Sequence, residues 1–97
     1  MNFEWDLAKN EINLEKHGID FLGAQSIWDG IVVTLQSTQI HQGEVRHLAI
    51  GLYQKREIVV VYTHREDRIR LISARRARKN EREIYWKSTG QNRPEPT

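Results

Sequence analysis

Five arginines, Arg46, Arg65, Arg68, Arg70 and Arg75, lie in segments where apolar and polar residues alternate, so they fall on strands and strand ends and not along one solvated helix. A guanidinium group offers planar paired donors that match phosphate oxygens, and it keeps its charge at any accessible pH. Several of them on adjacent strands could hold a nucleic-acid backbone and stabilise the charge of a pentavalent phosphorane. The plainer alternative is that each pairs with a nearby carboxylate, such as Glu44, Glu57 or Asp67, on a solvated sheet. A second basic group, Arg75, Arg76, Arg78, Lys79 and Arg82, interleaves with Glu81 and Glu83, which reads first as a solvated mixed-charge helix face. Arg75, Arg78 and Lys79 are its candidates for contact with a phosphate backbone, Arg75 foremost because it follows a strand end.

The candidates for moving a proton are few. His64 follows Tyr62 by two residues at the end of a strand and stands beside Arg65, where a group titrating near neutrality could act as base or acid. Tyr62 fits core packing and base stacking equally. Glu44 is the other candidate base. His17 is placed to favour a helix C-terminus electrostatically, a structural role preferred over catalysis. The four histidines have no ligand-like spacing and the chain has no cysteine, so neither a metal site nor any other cofactor is expected.

These residues need a scaffold. Asp6 is placed to cap a helix from about Leu7 to His17, ended by Gly18, and Asp20 to cap a second containing Phe21, Ala24, Ile27 and Trp28. Residues 31–35 form a β-branched strand, and residues 36–43 carry no periodicity and are expected as a loop. Alternation from Glu44 to Leu52 gives a second strand, and a turn at Gln54 and Lys55 leads into the unbroken apolar run 58–62, the expected sheet centre. Arg68–Ile72 forms the next strand, with Arg68 and Arg70 on one face, and Ser73 is placed to cap a last helix to about Lys87. The expected fold is α+β: two N-terminal helices, an antiparallel sheet of about four strands, and a C-terminal helix, with the helices on one sheet face and the other face free. Residues 1–89 form one domain, and residues 90–97, with both prolines, a flexible tail.

A chain of 97 residues, 38% hydrophobic and 29% charged, has the make-up of a water-soluble domain. No apolar run approaches the ~18 residues of a membrane span and the first residues do not resemble a signal peptide, so a cytoplasmic location and no membrane partner are expected. Charge is unevenly divided: residues 1–30 hold six acids and two bases, whereas residues 64–88 hold nine Lys or Arg and four acids. Such a division marks one side of the molecule as an anion-binding surface, for which nucleic acid is the commonest partner.

Phe3-Glu4-Trp5-Asp6, Lys9, Asn13, Lys16-His17-Gly18, Phe21, Ala24, Gly43-Glu44-Val45-Arg46, Gly51 and Arg70-Leu71-Ile72-Ser73-Ala74-Arg75, followed by Ala77, Glu81-Arg82 and Tyr85, resemble the BrnT toxins over nearly the whole chain. The resemblance implies a RelE-like fold and metal-independent RNA cleavage that blocks translation. It also implies neutralisation by a BrnA-like antitoxin with a ribbon-helix-helix end, through which alone operator DNA would be reached. The positions it carries over are Lys16, His17, Glu44, Arg46, Arg65, Arg70 and Arg75. The turn at Gln54 and Lys55 departs from the family in lacking a glycine.

The expected mechanism is attack by the ribose 2′-hydroxyl on the adjacent phosphorus, with Arg46, Arg70 and Arg75 on the phosphate and Glu44 or His64 taking the proton. Lys16, His17, Tyr62, Arg65, Arg68, Arg78 and Lys79 would contact RNA, and the ribosome could supply orientation. The rival reading is a binding module that uses the same basic face to hold RNA or an antitoxin without cleaving anything. A third is a structural subunit of a DNA-binding repressor.

Overall fold

In the computed structural model, residues 1–91 are described, with all side chains except those of Thr38, Gln39 and His41; the tail expected over 90–97 lies outside the described residues from 92 onward. The elements run β1 (Asn2–Trp5), α1 (Leu7–His17), α2 (Phe21–Ala24), a 3-10 turn (Gln25–Asp29), β2 (Val33–His41), β3 (Glu44–Tyr53), β4 (Arg56–Arg65), β5 (Arg68–Arg76) and α3 (Lys79–Thr89).

The helix starts follow from local chemistry. Asp6 accepts the Lys9 N–H at 3.0 Å, and Gly18, at φ 71°, donates its N–H to the Leu14 carbonyl, so α1 is closed at both ends as its sequence requires. Asp20 caps α2 through the Leu22 N–H. The second helix is shorter than expected, a single α turn continued as 3-10.

The sheet has five strands in the order β1-β5-β4-β3-β2, more than the four expected, because β1 joins β5 in parallel while the other pairs are antiparallel. β4 is central, and Ile58, Val59 and Val60 are wholly buried, as an apolar run covered on both faces demands. The loop expected over 36–43 is instead mostly strand: β2 runs on to His41 and returns through Gln42 and Gly43, both at positive φ. Its polar residues suit an edge strand, where the backbone ladder to β3 decides the conformation and side chains need not be apolar. The turn at Gln54 and Lys55 forms as expected, and both residues take positive φ without a glycine.

Helices cover both faces, contrary to the expectation of one. On the first face, Phe21, Ala24 and Ile27 pack with Ile58, Val60, Tyr62, Ile69 and Leu71. A Cβ on Gly51 would come within 2.6 Å of Ile27, so this glycine is what lets the 3-10 turn lie directly on β3. On the second face, Tyr85 of α3 and Ala77 just ahead of that helix pack against Ile50 and Val59, with Leu48 and Val33 beside them. α3 covers only that end of the face. It begins at Lys79 because β5 continues to Arg76, paired with Ile58; Ser73 is a strand residue and not the cap.

Beyond Trp5 the parallel partner of β5 is a side chain. The buried Asn13 amide donates to the Ala74 and Ile19 carbonyls, both at 2.9 Å, and its oxygen accepts the Ala74 N–H at 3.0 Å. It therefore stands in for a strand and locks α1 along β5. Asn13→Ala is expected to cost about 2–4 kcal/mol in urea unfolding, because three buried backbone groups lose their partner; a loss under ~0.5 kcal/mol would mean that this contact does not anchor α1.

Candidate active site

The end of the second sheet face that α3 leaves open is polar. Strand alternation brings Glu44 and Arg46 of β3, Thr63 and Arg65 of β4, Arg68 and Arg70 of β5 and Glu4 of β1 to it, with Thr63 opposite Arg70 and Glu4 beside Arg70. A cavity of about 170 Å³ is lined there by Lys9, Gln42, Glu44, Arg46, Thr63, Arg65, Arg70 and Ile72.

Two carboxylates organise the guanidinium groups. Glu44 accepts from Arg65 Nη2 at 2.8 Å and Nε at 3.3 Å, a paired geometry that fixes the plane of Arg65. The Thr63 hydroxyl lies 3.4 Å from Glu44 and 3.0 Å from the Val45 carbonyl, to which it donates better. Glu4 accepts from Arg70 at 2.7 Å and from Arg68 at 3.4 Å. The hydrogen bond from Arg65 holds the Glu44 carboxyl below its usual range, with help from the charges of Arg65 and Arg70, and Arg70 does the same for Glu4. Both are therefore anionic across neutral pH. Arg46 and Lys9 have no side-chain partner among the described residues, which leaves their donors turned to whatever enters the cavity.

Of the residues singled out from sequence, Glu44, Arg46, Arg65 and Arg70 meet in this cavity, and Arg68 stands at its rim with Glu4. Lys16 and His17 line an adjoining groove with Lys9. His64 and Tyr62 are corrected: they lie on the opposite face. Residues 62 and 64 alternate with 63 and 65, so when Thr63 and Arg65 face the cavity their neighbours must face away from it. There the rings of Phe3, Trp28, Tyr62 and His47 follow one another at centroid separations of 5.2, 5.4 and 5.3 Å, and His64 stands 5.1 Å from His47. Tyr62 is buried, its hydroxyl pushed up by desolvation, so packing describes it and base stacking does not.

Arg75 is the second correction. It forms a paired ion bridge with Glu81, at 2.8 and 2.9 Å, and Glu81 also accepts the Arg78 N–H at 2.7 Å. Arg75 thus fastens the start of α3 to β5 and does not line the cavity. Arg78 and Lys79 are exposed at the helix start, also outside the cavity lining. Lys9, Glu4 and Thr63 were not singled out as site residues from sequence. The seven-residue spacing of Lys9 and Lys16, two helical turns on one face, and the place of Glu4 opposite the aromatic Phe3 and Trp5 were the available signals.

The site is thus an arginine-lined cavity on the open end of one sheet face of an α+β domain. Residues 5–81 match the family model described as ribonuclease toxin, BrnT, of type II toxin-antitoxin system, and the chain belongs to that family. An antitoxin is accordingly its partner and RNA its target. A search of curated proteins gave no match. No helix among the described residues is long and apolar enough to cross a membrane.

The Arg75–Glu81 bridge has a measurable signature. Its hydrogen bonds hold the Glu81 carboxyl below the ordinary 4.5. The stability it supplies is complete above that value and is lost as pH falls through the lower folded value. Glu81→Gln should flatten the acid limb of the stability profile below pH 4.5. Arg75→Ala should cost about 2–3 kcal/mol near neutrality, less than the ~3–5 kcal/mol of a fully buried pair because a fifth of the Arg75 side chain remains in water. Unchanged urea midpoints in both variants would remove the structural role.

Proposed function

We propose that the cavity cleaves RNA by attack of a ribose 2′-hydroxyl on the adjacent phosphorus, leaving a 2′,3′-cyclic phosphate and a 5′-hydroxyl, without a metal ion. The single observation that carries this reading is the meeting of Arg46, Arg70, Arg65, Lys9 and Glu44 in one cavity on an open sheet face. Arg46, whose donors have no partner among the described residues, and Arg70 hold the phosphate and stabilise the charge that grows on its oxygens. Glu44 takes the 2′-proton; Arg65 keeps it ionised and oriented, at the expense of some basicity. Lys9 is the lining cation that can release a proton to the leaving 5′-oxygen, since an arginine does not give one up at neutral pH. The excess of cations over carboxylates in this lining disfavours a divalent ion, which supports a metal-free route.

The finer identity rests on the same ground. Two N-terminal helices ahead of the antiparallel run β2 to β5 support a RelE-like arrangement for a toxin domain over residues 1–89. A BrnA-like antitoxin would neutralise it by laying acidic side chains on Arg46 and Arg70, would alone carry the complex to operator DNA, and would thereby relieve a block of translation in the cytoplasm. The rival, a binding module that holds RNA without cutting it, draws on the pre-paired state of Arg65, Arg68 and Arg70.

The purified chain should cleave end-labelled RNA in EDTA and give products ending in cyclic phosphate, and Glu44→Gln should slow cleavage by ~10²-fold or more. Retention of RNA without cleavage would favour the binding module, and activity that needs an added divalent ion would overturn the metal-free mechanism.

A further inference from the structure

Next to the arginine cavity is a groove of different character, about 180 Å³ in volume, between α1 and β5. Ile12 and Ile72 give it an apolar floor, and Lys9, Lys16 and His17 stand around it. The two spaces adjoin, for both are lined by Lys9 and Ile72. Ile72 follows Arg68 and Arg70 in the alternation of β5 and so faces the same side, where a β-bulge leaves it without an opposite residue: Val61 pairs with Ser73 and Tyr62 with Leu71. Ile12 is 63% exposed, a large apolar side chain unexplained by folding. The groove is also rigidly framed, because Asn13 pins α1 to Ala74 of β5.

We propose that this groove is a nucleobase subsite, holding the base of the nucleotide next to the scissile phosphate, with Lys16 meeting the following phosphate. The proposal rests on the reading of the arginine cavity as the site of the scissile phosphate. An apolar cavity of ~150 Å³ accepts a benzene ring, so the groove has room for a single base. Its floor suits the face of a heterocycle and its cationic surround suits the phosphates on either side. Lys9 and Lys16 lie ~10.5 Å apart along the helix axis, enough for a strand leaving the cavity at Lys9 to meet Lys16 after the intervening nucleotide. Ile72 therefore ties base binding to phosphate binding, since this one side chain walls both spaces.

The test uses a fluorescent RNA tetranucleotide methylated at every 2′-oxygen, which binds without being cleaved, and the same backbone without bases. Anisotropy titrations are made on the wild-type chain and on Ile12→Ser, Lys16→Gln and Arg46→Ala. Ile12→Ser, a neutral change at an exposed position, should weaken the base-bearing strand about fivefold and leave the abasic strand unaffected. Lys16→Gln should weaken both and lower the slope of affinity against salt by about one. Equal effects of Ile12→Ser on the two strands, or none, would overturn the base subsite. Indifference of both strands to Arg46→Ala would instead remove the scissile phosphate from the cavity, a separate failure.

Discussion

Four guanidinium groups at one end of a sheet face repel one another, and the architecture of the site is the means by which that repulsion is held. Arg46, Arg65, Arg68 and Arg70 have two carboxylates among them, Glu4 and Glu44, which take three of the four cations as partners. Like charges a few ångströms apart cost ~1 kcal/mol in water and several times that near a protein surface. The arrangement is therefore tolerable only while the face stays open to solvent or filled by an anion. Arg46, left over, and Lys9 beside it form the part of the site where an incoming phosphate supplies the missing charge.

The rest of the fold keeps that end open and framed. α3 is held to the other end of the same face by Arg75 and Glu81, by Tyr85 donating to the Ile31 carbonyl, and by Trp86 donating to Glu57. An arginine that looked available for chemistry thus sets the boundary of the site through its ion pair with Glu81. On the remaining flank, the Asn13 amide fixes α1, and with it Lys9 and Lys16, at a set distance from β5. The first sheet face carries the main core, and the aromatic train on it runs out to a half-buried His47 and an exposed His64.

Legibility in the sequence followed the range of the interactions. α1, decided by Asp6 and Gly18 on either side of its eleven residues, was readable to the residue, and so was the central place of β4 from its unbroken apolar run. β2 was not, since Gln36 to His41 become strand only through pairing with β3. The separation of His64 from the arginines was present in simple alternation and was obscured by its proximity to Arg65 in sequence. The roles of Glu4 and Arg75 were out of reach: Glu4 meets Arg70 across 66 positions, and Arg75 meets Glu81 only because β5 runs past Ser73 before α3 begins.

The central claim is that chemistry belongs to the arginine face and packing to the histidine face. Cleavage rates of one labelled RNA by Arg46→Ala and by His64→Ala, each checked for a native unfolding transition, compare the two faces directly. The account predicts a loss of ~10²-fold or more for Arg46→Ala, the scale of removing one donor to a transition-state anion, and a rate within about twofold of wild type for His64→Ala. A folded His64→Ala variant that has lost activity, beside an Arg46→Ala variant that keeps it, would contradict the account and move the reaction to the other side of the sheet.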